Sequence, residues 1–228
     1  MGVNIDFCGE IHRLEERGGE LTIGRDADLS IDDNLFLHRR FLRVFEEQGM
    51  WWIANVGSQL SATVADREGT VQAWLGPGAR LPLVFERCAV WFTAGPTTYE
   101  VEIDVDGSLF TSVPADQPVD GGTTIGRMSM TPDQRLLLVA LAEPMLRRRG
   151  PGAVNTPSSV DAAARLGWAL TKFNRKLDNV CQKFARLGVR GLHGGPERLA
   201  TDRRARLVEY AIATRLVGPD DLPLLDEA

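Results

Sequence analysis

The sequence predicts two domains: an all-β sandwich followed by a mainly α-helical domain. The chain has 228 residues, enough for two domains of about 100 residues each. The spacing of apolar residues changes from alternation in the first half to helical spacing in the second. The charge divides in the same way, since residues 1–130 carry 10 Lys and Arg against 20 Asp and Glu, and residues 131–228 carry 16 against 11. Such asymmetry favours two modules with different partners.

The first half alternates as β-strands do. In TYEVEIDV, Tyr99, Val101, Ile103 and Val105 alternate with acidic residues, which is typical of a strand with one buried face. FLRVFEEQGMWWIANV predicts a hairpin around its polar EEQG turn. The short runs ATVAD, VQAWL, LPLVF and AVWFTA follow without a helical stretch between them. We therefore predict an antiparallel sandwich over residues 1–106.

Three segments of this half resemble a forkhead-associated (FHA) domain, in the family's order: LTIGRDADLSIDDNLFLHRRFLRV, WWIANVGSQLSATVAD and TYEVEI. The resemblance implies a β-sandwich whose loops bind phosphothreonine peptides. The family's Gly-Arg pair falls on Gly24 and Arg25, and it implies that this arginine contacts the phosphate. We therefore expect a protein partner at these loops.

The resemblance departs from the family at the positions that read the peptide. In one register His38 replaces the phosphate-binding serine and Phe41 replaces the histidine that braces the loop. A shifted register places the family histidine on His38 and Leu35 at the serine position. The asparagine that holds the peptide backbone has become Leu60. The implied phosphopeptide site is therefore degenerate and consists of Arg25, His38, Arg39, Arg40 and Ser58.

The second half begins after a linker predicted over residues 107–130, which are rich in Gly, Ser, Thr, Pro and Asp. Helices are predicted to begin at Thr131, with Gln134 closing a capping box, at Ser158 or Ser159, at Leu170 and at Thr201. The third helix carries an apolar stripe from Leu170 to Leu187. A small glycine hairpin is predicted before the last helix, which should end at Gly218. An acidic tail follows it.

Residues 131–228 resemble a winged helix-turn-helix domain, above all in VDAAARLGWALTKFNRKLDNV. The family's third helix lies in the major groove of DNA, so the resemblance implies double-stranded DNA as a partner. Residues 131–217 carry 16 basic against 7 acidic side chains, which favours this function. The alternative is a helix-turn-helix that binds proteins. The implied DNA-contacting residues are Thr171, Lys172, Asn174, Arg175 and Lys176 on the helix, and Arg190, His193 and Arg198 on the wing.

The sequence carries no pattern of an enzyme, a metal site or a cofactor site. Its three histidines are scattered and no nucleotide-binding or hydrolase motif is present. Its three cysteines are far apart, which predicts buried free thiols in a reducing cytoplasm. No apolar run is long enough for a membrane helix. We therefore predict a non-enzymatic cytoplasmic regulatory protein that binds a protein and DNA, or else a scaffold for proteins alone, or an active phosphothreonine reader. The oligomeric state stays open.

Overall fold

The computed structural model describes residues 2–15, 18–67, 71–107, 130–148, 150–192 and 203–226. The strands are β1 (Val3–Phe7), β2 (Glu10–Leu14), β3 (Glu20–Gly24), β4 (Leu29–Ser30), β5 (Leu42–Glu47), β6 (Met50–Asn55), β7 (Ala62–Asp66), β8 (Gln72–Leu75), β9 (Arg80–Pro82), β10 (Arg87–Ala94), β11 (Thr97–Val105) and β12 (Gly152–Asn155). The helices are α1 (Pro132–Leu146), α2 (Ser159–Arg165), α3 (Leu170–Arg186), α4 (Arg203–Ala213) and a 3₁₀ helix (Pro219–Leu225).

The strands form two sheets around one apolar core. The first sheet has the order β2-β1-β11-β10-β7-β8, and β12 pairs with β11 as well. The second has the order β4-β3-β5-β6-β9, in which β3 and β4 are parallel and the other pairs are antiparallel. The predicted sandwich is therefore confirmed. Its core contains Ile53, Phe41, Phe92, Tyr99 and Ile103.

The two strongest strand patterns form as predicted. In β11 the four alternating apolar residues are buried, while Glu100 and Glu102 on the other face are partly exposed. The predicted hairpin is the pair β5 and β6, with Glu47 opposite Met50. Its two turn residues, Gln48 and Gly49, have φ of 56° and 78°, the left-handed conformation that a two-residue hairpin turn requires.

Helices α1 and α2 also begin where their capping residues predict. Thr131 accepts a hydrogen bond from the amide of Gln134, whose side chain accepts one from the amide of Thr131. Ser158 caps α2 in the same way through the amide of Asp161. The apolar stripe of α3 is buried over its middle, but Leu170 and Leu187 at its ends are 42% and 59% exposed.

The end of the chain differs from the prediction. Helix α4 ends at Ala213 rather than at Gly218, because Arg215 takes a φ of 54° and the amides of Leu216 and Val217 turn back to the carbonyl of Ala211. The residues predicted as an acidic tail include the 3₁₀ helix, which packs against α1. Leu225 is buried there, and the predicted tail is therefore wrong for residues 219–225.

The two halves of the chain contact each other directly. Strand β12 lies within the range predicted for the second domain, yet it pairs with β11 of the sandwich from Thr97 to Glu100. Helix α4 packs on β7, β10 and β11. Its buried ion pair Arg206–Glu209 receives hydrogen bonds from the hydroxyls of Thr63 (3.0 Å) and Thr93 (2.8 Å). Residues 108–129 of the predicted linker and residues 193–200 of the predicted hairpin lie outside the described residues.

Candidate functional site

The candidate site is the loop end of the sandwich, which we define as residues 25–28, 31–41 and 56–61. The chain that follows β3 runs beside the chain that precedes β5. The amide of Arg25 donates to the carbonyl of His38 (2.9 Å) and the amide of Asp26 to that of Arg39 (3.0 Å). A Cβ at Gly24 would lie 2.2 Å from the carbonyl oxygen of Arg39. Glycine at this position therefore allows Arg25 and Arg39 to emerge side by side.

His38 braces this end of the sandwich. Its Nε2 accepts hydrogen bonds from the amides of Gln59 (3.2 Å) and Leu60 (3.4 Å), which requires the unprotonated nitrogen. Burial lowers the pKa of His38 and favours the same neutral form. The ring stacks on Phe41, which is fully buried, and Gly57 lies against it.

This geometry agrees with the shifted register, in which His38 takes the bracing position and Leu35 takes the serine position. His38 is therefore not placed as a cationic phosphate ligand. Phe41, which stands at the histidine position in the first register, is fully buried in the core.

A buried asparagine that the sequence analysis missed holds the next loop. Asn55 donates to the carbonyls of Leu60 (2.8 Å) and Leu75 (3.0 Å), and it accepts from the amide of Gly57 (3.0 Å). The side chain of Leu60, which the resemblance places at the family's peptide-holding asparagine, is 5% exposed and belongs to the core. Leu60 therefore presents no polar group to a peptide.

The loop from Ile31 to Leu37 is also fixed from below. Asn34 donates to the carbonyl of Ala94 (2.9 Å) and to the hydroxyl of Tyr99 (2.8 Å), and this hydroxyl donates to Asp32 (2.7 Å). Burial raises the pKa of Tyr99. Above these bonds Leu35 is 82% exposed. The buried hydrogen bonds therefore fix a loop whose apolar side chain, Leu35, is exposed to solvent.

The arginines predicted for this site lie at the loop end. Arg39, Arg40 and Ser58 are exposed, whereas Arg25 is partly buried and its Nε has no hydrogen-bond acceptor among the described residues. The nearby Asp28 is held by the amide and hydroxyl of Thr22, and these bonds lower its pKa. All five predicted residues are thus exposed or half-buried, and His38 also makes a bracing contact.

The basic residues predicted on α3 are divided between contacts and solvent. Lys176 pairs with Asp133 of α1 at 3.0 Å, and Lys172 lies 4.0 Å from the same carboxylate and over the ring of Trp168. The hydrogen bond from Lys176 is the main cause of the lowered pKa of Asp133. Thr171 and Arg175 are exposed and Asn174 is half-buried.

Of the predicted wing residues, Arg190 lies in the described part of the chain. Arg190 lies over the ring of Trp74 of the sandwich, 4.7 Å from its centroid. His193 and Arg198 lie outside the described residues. Asp178, which the sequence places near the basic face, pairs with Arg203 of α4 at 2.7 Å.

The structure also bears on the cysteines, on metal binding and on membrane-spanning helices. Cys88 and Cys181 are buried free thiols as expected, but Cys8 is exposed because it lies in the turn between β1 and β2. Within the described ranges, no three His, Cys, Asp or Glu residues are grouped so that they could hold a metal ion. Nor does any helix described there have the length and apolar character needed to cross a membrane.

Solved FHA domains are similar in structure to this chain. The FHA domain of an Arabidopsis thaliana hypothetical protein is 18% identical with a TM-score of 0.34, covering 51% of this chain and 91% of that chain. FHA-1 of Mycobacterium tuberculosis Rv1747 is 14% identical with a TM-score of 0.30, covering 45% and 94%. An engineered FHA domain with a Myc-pTBD peptide is 11% identical with a TM-score of 0.36, covering 46% and 91%. No family model matches the sequence, and no curated protein matches it. The likeness to FHA domains concerns the N-terminal sandwich, about half of the chain.

Proposed function

We propose that this protein is a non-enzymatic regulatory protein that binds a partner protein through the loop end of its sandwich. The proposal rests on one observation: hydrogen bonds hold the loop backbone in place, while several side chains of the same loops are exposed to solvent. His38 and Asn55 hold the loops from below, while Arg39, Arg40 and Leu35 face solvent. A surface that is already ordered loses less conformational entropy on binding. Arginine is enriched in protein interfaces.

We propose that recognition of this partner does not depend on a phosphothreonine. Arg25 and Arg39 can still donate charge-assisted hydrogen bonds to an anion. However, Leu35 offers no hydroxyl and Leu60 offers no amide to a peptide. Each lost bond is worth about 1.5–3 kcal/mol where a charged group takes part. Two losses would weaken a phosphopeptide by about a hundredfold or more on that scale.

A photo-cross-linking residue at position 35 tests the loop end in the intact protein. We expect a cross-linked partner from position 35 and none from Ile11, which is also exposed (65%) but lies on β2. Arg39→Glu should abolish the cross-link because it reverses the charge beside the contact. Equal cross-linking from both positions, or a cross-link that survives Arg39→Glu, would place the partner elsewhere. A cross-linked phosphothreonine peptide with micromolar affinity that depends on Arg25 would instead make the site an active phosphothreonine reader.

Double-stranded DNA bound by α3 is a second candidate function. Its support is the order α1, β12, α2, α3, which agrees with a winged helix, together with the exposed Thr171 and Arg175 near the start of α3. Less basic charge is left for DNA phosphates, because Lys172 and Lys176 contact Asp133. Arg190 likewise contacts the ring of Trp74. If these residues contact proteins instead, the chain is a scaffold.

Gel-shift binding of the intact protein to random-sequence duplexes at two salt concentrations separates these alternatives. If α3 lies on DNA, Arg175→Ala should weaken binding and lower the salt slope by about 0.9 for the lost phosphate contact. The control Arg147→Ala, on the exposed end of α1, should change neither. No binding at low salt would leave the protein-binding function alone.

A further inference from the structure

A cleft of about 250 Å³ lies between the first sheet and the C-terminal helices. Its floor comes from β10 and β11 and includes Trp91 and Glu100. Its walls come from the ends of α1 and α4, with Met145 and Ile212. The loop end contributes none of the described lining residues. Clefts between packed units, with apolar walls and a few polar groups, are common sites for small ligands.

Arg148 lines this cleft and has unused hydrogen-bonding capacity. Its Nη2 donates to Glu100 Oε2 at 2.7 Å. Its Nε and Nη1 are buried and have no acceptor among the described residues. Buried donors are almost always satisfied in native proteins. A guanidinium holds a carboxylate best through two parallel hydrogen bonds, and Glu100 supplies one acceptor only.

The charge of the cleft also favours an anion. Four arginines and three acids line it, a formal balance of +1. Glu100 faces Arg148, Arg215 and Glu102, and its burial raises its pKa to about 7 although the two arginines oppose the shift. Glu102 is itself paired with Arg87 at 3.2 Å. When Glu100 is protonated, the balance rises to +2 and Arg148 loses its anionic partner.

We propose that this cleft binds a small monocarboxylate with an apolar body. The carboxylate lies on Arg148, and the body lies against Trp91, Met145 and Ile212. The apolar walls exclude water and strengthen the ionic contact. Since the lining comes from both halves of the chain, the ligand stabilises their docked arrangement by mass action. This site is independent of the partner surface at the loop end.

Benzoate is a suitable probe because it joins a carboxylate to an apolar ring, and benzamide is its neutral counterpart. We expect calorimetric titration of the intact protein at pH 6 to detect benzoate and not benzamide. Arg148→Gln should weaken benzoate by about tenfold to a hundredfold, the range of a lost charge-assisted bond. Arg147→Gln is the matched control, since Arg147 is exposed and pairs with Glu143 of its own helix. Equal binding of both probes, or equal loss in both variants, would overturn the proposal.

The pH dependence tests the role of Glu100 separately and holds even if Arg148→Gln does not fold. With a pKa of about 7, the protonated fraction of Glu100 falls about tenfold between pH 6 and pH 8. Benzoate should therefore bind about tenfold more weakly to the wild-type protein at pH 8. Glu100→Gln should bind it at both pH values with the affinity of the wild type at pH 6. A wild-type affinity that does not change with pH, or a loss of binding in Glu100→Gln, would mean that Arg148 serves the ion pair alone.

Discussion

At the scale of single residues, the loop end depends on side chains that point inward. His38 and Asn55 receive and donate the hydrogen bonds that fix residues 56–60. Both side chains bond to backbone groups of the loop, so these bonds do not depend on which side chains the loop residues carry. The exposed arginines, by contrast, are free to serve recognition. Two inward-facing side chains thus set the position of several exposed residues.

His38→Ala should destabilise the protein by about 0.5–1.5 kcal/mol, because it removes the hydrogen-bond acceptor of the amides of Gln59 and Leu60. The effect should depend on pH. The folded-state pKa of His38 is lowered, so its stabilisation is complete above the unfolded pKa of about 6.5 and is lost as pH falls through the folded pKa. Urea unfolding at pH 5 and 7.5 measures both effects. His12→Ala, which removes an exposed pair with Glu10, is the control, and an equal change of stability with pH in the His38→Ala and wild-type proteins would contradict the bracing role.

At the scale of elements, burial decides which apolar positions of a periodic pattern contribute to stability. Helix α3 has a continuous apolar stripe in the sequence, but Leu177 is 1% exposed and Leu187 is 59% exposed. The middle of α3 packs against α1 and α2, whereas Leu187 lies just past its end. The stripe therefore predicts the face of the helix correctly and overstates its buried length.

A matched pair of substitutions tests this difference on α3. Leu177→Ala should cost about 2–5 kcal/mol, since it opens a cavity in the packed core. Leu187→Ala should change the free energy of unfolding by less than about 0.5 kcal/mol, as exposed substitutions usually do. Chemical denaturation of both variants gives the comparison. Similar losses in the two variants would mean that Leu187 is covered in solution.

At the scale of the whole molecule, a polar network joins the two halves. Arg206 and Glu209 of α4 are 7% and 0% exposed, and Glu209 also accepts from Thr63 and Thr93 of the sandwich. A buried ion pair gains little net stability, because both ions lose their hydration. Its directional bonds do fix how α4 sits on the sheet. The network therefore sets the arrangement of the halves more than it strengthens their contact.

Removing one member of this ion pair should be more harmful than removing both. Glu209→Ala leaves Arg206 as a buried uncompensated charge and should cost about 3–5 kcal/mol. The double variant Arg206→Met/Glu209→Leu should be close to neutral or stabilising. Thermal unfolding of the two variants measures the contrast. A double variant as unstable as Glu209→Ala would show that the bonds to the threonines dominate the contact.

Local sequence patterns determined much of the secondary structure. The alternation in β11, the turn at Gln48 and Gly49, and the capping residues Thr131 and Ser158 specify their elements through contacts within a few residues. Such features are predictable because their physical causes lie in neighbouring residues.

Only the tertiary structure decided the roles that depend on distant residues. The position of His38 beneath Gln59, of Asn55 beside Leu75, and of Arg190 on Trp74 requires chain segments that lie apart in sequence. The pairing of β12 with β11, and the cleft lined by Glu100 of the sandwich and Arg148 of the second half, arise in the same way. Periodicity tells which face of a strand or helix is buried, but not which other element buries it, because many packings satisfy the same pattern. The partner of each face is settled by the side chains that meet across the folded chain.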